Sequence, residues 1–359
     1  MAPPAAKASE ASTTGLVLDC GSGHASIFWY ETKEGSVKQR RRSRLSYNDA
    51  QYKLAEELID DDGLPERIQL AIGALRSEIN LVAALGEIAP PTLLFVGATG
   101  GVREALADGR MTSQAVNEFS RAIEGAFIAT IPHVRVTVLT GEQEATWELG
   151  AARAIWGARG AIMFDDAPDA ARFGLFSGGG QSMQIGMEGV VRSFPFSTWS
   201  VHMDEKKGAH FEAWRDPAIW SAWEEALIAA IEEEKARLDK PLRGCFVLSA
   251  MNERAAEAAG FSQTPITAAQ AITRLRTTLG AFIAGTGDAF HTYLDERKHY
   301  KYNVARVTAM HLSRLAHVLE AIFEPDARVY APGRSDVHCE WAVGAFVDEV
   351  GRVSAEAAA

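Results

Sequence analysis

The sequence predicts an α/β protein of layered architecture in which one unit is used twice. Two glycine-rich turns, Asp19-Cys20-Gly21-Ser22-Gly23-His24 and Ser177-Gly178-Gly179-Gly180-Gln181-Ser182, each sit between two short apolar runs, one pair in each half of the chain. Apolar run, tight turn and apolar run together read as a β-hairpin. Behind each hairpin, strand-like and helix-like segments alternate, the pattern of a sheet covered by helices. A length of 359 residues suggests about two domains.

Taken in order, Leu16 to Leu45 reads as three strands with turns at Gly21 to His24 and at Glu34-Gly35. Leu64 to Leu85 has helical periodicity, and Thr92 to Val96 reads as a buried strand ending at Gly97. A short helix follows Gly101, then a longer one from Met111 to Thr130. Val134 to Leu139 alternates as a strand, and Glu142 to Trp156 reads as a helix. The pattern then restarts. Ala161 to Phe164, Arg172 to Phe176 and Ser182 to Met187 read as strands. Ala218 to Leu238 reads as a helix and Cys245 to Leu248 as a strand. Ile266 to Leu294 and Ala305 to Phe323 are helical in pattern, Val329-Tyr330 is a short strand, and His338 to Val350 closes the chain as a helix. Residues 1–14 read as a disordered tail, 15–150 as a first lobe to which helix 338–352 returns, and 151–337 as a second lobe.

Hydrophobic content of 47% and charged content of 23% are ordinary for a globular protein. The net charge of −11 argues against nucleic acid as a partner, because phosphate backbones demand clustered Lys and Arg. The basic run Lys38 to Arg44 is the exception. It reads either as a patch steering an anionic ligand or as a solvated strand end. Cys20, Cys245 and Cys339 make no disulfide framework and lack metal-site spacing, which fits a reducing, cytoplasmic location. No run of roughly 18 uninterrupted apolar residues is present, so a membrane partner is not expected. The oligomeric state is left open.

Glycine in the two turns lets the backbone take positive φ and point its N–H groups at an anion. Two such hairpins facing one another would clamp a phosphate chain from both sides, which suggests phosphoryl chemistry in a cleft between lobes. Asp19 ends the first strand, where a carboxylate can hold a divalent cation directly or through water, or accept hydrogen bonds in its own turn. Ser22, Gly23 and His24 offer donors along that turn. In Gly97-Ala98-Thr99-Gly100-Gly101-Val102-Arg103, Thr99 adds a hydroxyl, and Arg103 pairs with a phosphate or closes a structural salt bridge. Glu142 and Glu144 are two residues apart and diverge on a helix, so only one easily faces a site. A glutamate there can deprotonate water for attack on phosphorus, or complement the helix dipole. Three consecutive glycines beside Gln181, Ser182 and Gln184 are the most specific local signal, with Gly179 and Gly180 as backbone donors. Nothing resembles the Gly-x-x-x-x-Gly-Lys-Ser/Thr of a P-loop. Trp199, Trp214, Trp220 and Trp223 read mostly as core or helix-face residues, although Trp199 lies in a loop that can border a ligand.

In this order the motifs resemble the apyrase-conserved regions of the nucleoside triphosphate diphosphohydrolases, the ecto-apyrase family. Leu18 to Ser26 resembles the first region, Gly97 to Arg103 the second, Thr140 to Glu144 the third, Ser177 to Gln184 the fourth, and Glu340 to Gly344 the fifth. The exopolyphosphatases and guanosine-pentaphosphate phosphohydrolases share that fold and similar hairpins. The resemblance implies two ribonuclease-H-like, actin-like ATPase lobes with an interlobe cleft holding a nucleoside polyphosphate. It also implies water-mediated Mg²⁺ or Ca²⁺ anchored at Asp19, and hydrolysis of terminal phosphoanhydride bonds. In that reading Glu144 is the base and Gln184 orients the water. Ser22, Gly23, His24, Thr99, Arg103, Gly179, Gly180, Gln181 and Ser182 serve the phosphates, and Trp341 borders the base. The alternatives are an exopolyphosphatase or guanosine-pentaphosphate phosphatase, and a catalytically weak nucleotide sensor. The chain departs from the family at Ser177, where an Asp is usual, at Met183, where a Thr is usual, and at Ala145, where a Gly is usual. Losing one metal-linked carboxylate weakens cation affinity.

Overall fold

Strand β1 (Thr13–Cys20) is buried along most of its length and occupies the middle of a five-stranded sheet. The computed structural model describes residues 12–21, 25–33, 36–47, 50–51, 64–157, 160–165, 167, 169–179, 182–195, 216–286, 304–333 and 341–358. Strand β2 (Ala25–Lys33) folds back antiparallel on β1, with Asp19 opposite Ser26, and β3 (Ser36–Arg44) pairs with β2 at the sheet edge. The basic run lies on β3, whose residues alternate between exposed and half-buried. Arg41 and Ser43 both donate to Glu78, and the Arg42 guanidinium sits 4.9 Å from the centre of the Phe28 ring. Charges on an edge strand keep other chains from pairing with it. A two-strand ribbon, β4 (Ser46–Tyr47) and β5 (Ala50–Gln51), follows.

Helix α1 (Leu64–Leu85) packs through Ile68, Ile72, Leu75 and Val82. It is interrupted by Glu66, Arg67, Arg76 and Glu78. By length and composition it is nevertheless long and apolar enough to cross a membrane, and a third of its most apolar window is buried in the fold. Strand β6 (Leu93–Ala98), buried at every position, runs parallel to β1. Helices α2 (Gly100–Ala107) and α3 (Ser113–Phe127) lead to β7 (His133–Val138), parallel to β6. Thr112 caps α3 by accepting from the Ala115 N–H at 3.1 Å. The strand order is β3-β2-β1-β6-β7.

Helix α4 (Gly141–Trp156) opens the second half, followed by the single turn α5 (Gly160–Met163). Strands β8 (Gly174–Gly178), β9 (Ser182–Met187) and β10 (Val190–Pro195) form an antiparallel meander. Helix α6 (Pro217–Lys235) is capped by Asp216, which accepts from the Ala218 N–H at 2.8 Å, and carries Trp220 and Trp223 in contact with each other. Strand β11 (Cys245–Ala250) runs parallel to β8 and passes directly into α7 (Met251–Ala258). Then follow β12 (Ile266–Thr267), α8 (Ala268–Ala284), α9 (Val304–Ile322), β13 (Arg328–Tyr330) and α10 (Trp341–Ala358). The order β10-β9-β8-β11-β13 repeats that of the first sheet, with β12 added at the edge. The duplication read from the two glycine turns is therefore one of whole topology.

The chain divides into two compact units, one ending at Thr140 and completed by Ala342–Ala359, the other Gly141–Trp341. In the first, α10 lies against the face of β1 that carries Gly15, where a Cβ would come within 2.6 Å of the Phe346 ring, and Tyr30 stacks on that ring. Arg135 of β7 pairs with the buried Glu349. In the second, the Phe323 ring packs against Phe176 and Phe246, with centroids 5.4 and 4.8 Å away. Each such ring contributes about 1.5–3 kcal/mol by its burial.

Several elements differ from the sequence reading, among them the expected helix Ile266 to Leu294, which begins as strand β12 and whose helix α8 ends at Ala284, where Gly285 takes φ 66°. Ala161 to Phe164, expected as a strand, is the turn of helix α5 and its end, with the Phe164 N–H donating to Gly160 O at 3.2 Å. A short apolar run cannot separate strand from buried helix by periodicity. Here the choice is made by packing, since Phe164 turns into contact with Phe173 and Tyr330. Strand β10 and helix α7 have no counterpart in the sequence reading. Helix α7 starts without Gly or Pro because Ala250 itself takes φ 55° and turns the chain out of the sheet.

Candidate functional site

Each unit places polar residues at the carboxyl ends of its central parallel strands, the usual location of ligands in such sheets. In the first unit Asp19 ends β1 beside Gly97 of β6, and is half-buried. Its charge, after burial itself, helps push the neighbouring Cys20 thiol well above its ordinary value, so Cys20 is a packed, unreactive group. Thr99 folds its hydroxyl and its N–H back toward the Cys20 carbonyl, at 3.4 and 3.3 Å, and so fixes the start of α2 to the end of β1. Arg103 donates to the Leu139 carbonyl at 2.6 Å, tying α2 to the end of β7. Ser22, Gly23 and His24 lie outside the described residues.

The second unit brings Glu144, Gln184 and Ser182 together. Helix α4 lies across one face of β9 and β10 because two glycines permit it. A Cβ at Gly141 would stand 2.1 Å from Ser193 Oγ, and one at Gly186 would stand 3.0 Å from both Ala145 O and Leu149 Cβ. This contact turns Glu144 inward, leaving it 5% exposed, while Glu142, two residues earlier, is exposed to solvent. Gln184 Nε2 donates to Ser182 Oγ at 2.6 Å and reaches Glu144 Oε2 at 3.5 Å. Gly179 closes the turn by donating its N–H to Ser182 O at 2.7 Å. Gly180 and Gln181 lie outside the described residues. Trp341 is buried, and its ring stacks on Trp147 with centroids 6.2 Å apart.

Sequence reasoning did not single out Glu148, Asn252 or Ser249. Glu148 lies one turn after Glu144 on the same face of α4 and is also buried; the four-residue spacing was its signal. Asn252 is fully buried at the start of α7 and donates to Phe176 O at 3.2 Å. It occupies the space that a side chain at position 178 would take, since a Cβ on Gly178 would stand 2.4 Å from Asn252 Oδ1. Ser249 ends β11 beside Ser177.

Among the described residues no group of three or more His, Cys, Asp and Glu could hold a metal ion. A single carboxylate at a strand end, such as Asp19, nevertheless fits a hydrated Mg²⁺ or Ca²⁺ that arrives with phosphate oxygens as its main ligands. When bound, such an ion would neutralise charge on a phosphoryl group. The donor set does not fit an ion caged by protein ligands.

No protein-family model matches the chain, and no curated protein matches it in sequence. Solved structures do match. The fold is that of Ppx/GppA proteins. A member of the Ppx/GppA family from Aquifex aeolicus superposes over 95% of this chain and 99% of its own, at 17% identity and a TM-score of 0.58. The type II variant of the Aquifex aeolicus Ppx/GppA phosphatase covers 94% and 99% at 17% identity and TM-score 0.56. An exopolyphosphatase-like protein covers 94% and 98% at 17% identity and TM-score 0.56. The expected actin-like α/β fold of two lobes is met.

Proposed function

We propose that the protein hydrolyses terminal phosphoanhydride bonds, with inorganic polyphosphate or a guanosine-pentaphosphate-type compound as substrate. The observation that carries the reading is the buried Glu144, held against Gln184 and Ser182 beside the glycine turn of β8 and β9. A carboxylate in that position accepts a proton from water as the water attacks phosphorus, and such a base contributes about 10²–10⁴ in rate. Gln184 orients the water, and Gly179 and Ser182, with Gly180 and Gln181, take phosphate oxygens. In the first unit Asp19 anchors the hydrated cation, while Ser22, Gly23, His24 and Thr99 serve the phosphates, and Arg103 holds α2 to the end of β7.

Two features support a phosphate chain over a nucleoside. The fold is shared with proteins described as exopolyphosphatase-like and as a Ppx/GppA phosphatase. Trp341, the ring assigned to a nucleotide base, is already stacked on Trp147. The apyrase-like reading rests on five sequence motifs in order. The sensor reading rests on Ser177, a buried hydroxyl where that family has a carboxylate. One experiment separates all three: phosphate release from polyphosphate, guanosine pentaphosphate, ATP, ADP and pyrophosphate, with and without chelator. Release from the first two, lost with chelator, is the expected result. Preference for ATP supports the apyrase reading, and tight binding without release supports the sensor. Unchanged turnover in Glu144→Ala would remove the assigned base.

A further inference from the structure

The strand register of the second unit lines up four polar residues on one face. Ser193 of β10 is opposite Gln184 of β9, Gln184 is opposite Ser177 of β8, and Ser177 is opposite Ser249 of β11. Residues paired across neighbouring strands project to the same side. That side is the one covered by the start of α4, where Gly141 meets Ser193 and Glu144 meets Gln184. The row continues to Ser177 and Ser249, each 2% exposed. Among the described residues Ser249 Oγ is buried and has no hydrogen-bond partner. Leaving a buried hydroxyl unsatisfied is costly, and such a group calls for an explanation. The next residue, Ala250, is held at φ 55° and ψ −120°, a conformation that residues with a side chain rarely adopt. The chain thus keeps a strained turn immediately beyond an unsatisfied donor, at the carboxyl end of a parallel strand.

We propose that Ser249 and Ser177 form a hydroxyl pair that binds one phosphoryl oxygen, making Ser249 a substrate-binding residue of this site. The ligand class rests on the phosphoanhydride reading given above. The chemistry of the row favours an anion at this end. Neighbouring strands lie about 4.7–4.9 Å apart, so Ser249 stands roughly 9–10 Å from Gln184 along the row. The Glu144 carboxylate meets the row at Gln184, and the two hydroxyls at the other end are neutral donors. The pair also gives the substitution at Ser177 a purpose: a hydroxyl takes a phosphate oxygen directly, where a carboxylate can do so only through a cation.

The test is the binding of inorganic phosphate by calorimetry to the full-length wild type and to Ser249→Ala and Ser249→Thr, each with Mg²⁺ and with chelator. Thermal melting checks that each variant is folded. The expected result is that Ser249→Ala raises the dissociation constant about tenfold, the effect of losing one hydrogen bond to a charged group. Ser249→Thr, which keeps the hydroxyl, stays near the wild type, and the alanine effect persists in chelator. Equal affinity of wild type and Ser249→Ala overturns the proposal, as does an absence of phosphate binding by the wild type. If no compound in the panel is hydrolysed while the alanine effect on phosphate remains, the reaction is refuted and the phosphate pair stands.

Discussion

Replacing Gly141 by Ala tests whether the approach of α4 to β10 is what aims Glu144. A Cβ at position 141 would lie 2.1 Å from Ser193 Oγ and 2.3 Å from Ser193 Cβ. Carbon atoms in contact prefer roughly 3.5–4.0 Å, so the start of α4 and β10 must separate by about 1 Å or more. Because Ser193 Cβ is fixed to the strand, rotation of the hydroxyl alone does not relieve the overlap. Overpacking of this kind costs about 1–3 kcal/mol. At about 2–4 °C per kcal/mol for a unit of this size, the melting temperature falls by roughly 2–12 °C. Alanine's higher helix propensity returns at most about 1 kcal/mol, and less at the first position of a helix. Glu144 rides on the same turn, and a displacement of about 1 Å costs on the order of 10² in rate. The assays are thermal melting and phosphate release from polyphosphate. Adding Ser193→Gly leaves only Ser193 Cα, at 3.8 Å, near the new methyl, so the double variant recovers both properties. A Gly141→Ala protein as stable and as active as the wild type, or one that Ser193→Gly fails to rescue, refutes the reasoning.

Three other outcomes follow from the described residues. Glu144→Gln lowers phosphate release about 10²–10⁴-fold with little change in melting, whereas the exposed Glu142→Gln leaves both unchanged, as steady-state kinetics on the pair will show. Arg103→Ala removes the bond to the Leu139 carbonyl and costs about 1.5–3 kcal/mol, read in urea unfolding; a change confined to substrate KM would make Arg103 a substrate residue instead. Glu253 at the start of α7 is held up to about 7 from an ordinary 4.5, chiefly by burial and then by Glu257. The folded state therefore binds this proton more tightly than the unfolded state, and stability is lost as pH rises from about 4.5 through about 7. Glu253→Gln flattens that slope in melting curves recorded across the interval.

The parts of the fold that were legible are those with punctuation in the sequence. The hairpins of β1–β2 and β8–β9 are framed by glycine, and α1, with its regular apolar spacing, was bounded to the residue. Helix α7 was invisible because its start uses strain at Ala250 in place of Gly or Pro, and α5 because Phe164 is committed by contacts with Phe173 and Tyr330, distant in sequence. In the site, the divergence of Glu142 and Glu144 follows from helix geometry alone, but which of them turns inward depends on Gly141 and Gly186 meeting β10 and β9. Ser249 carried no signal: a lone serine near the end of an apolar strand acquires meaning only when the register sets it beside Ser177.

The repeated topology makes the chemical difference between the two units interpretable. In register, Asp19 of β1 lies between Ser26 and Gly97, and Ser177 of β8 lies between Gln184 and Ser249. The same position therefore holds a carboxylate with a glycine beside it in one sheet, and a hydroxyl with a second hydroxyl beside it in the other. A carboxylate needs a cation to engage phosphate, and a glycine leaves room for that ion's water shell. A hydroxyl pair needs none, and room for a hydrated ion would leave its donors unmet. The carboxylate of the second unit enters from α4, at the end of the row away from Ser249. Under the proposed function, the cation is held at Asp19 of the first sheet and the proton is taken by Glu144 beside the second, two sheets of the same strand order.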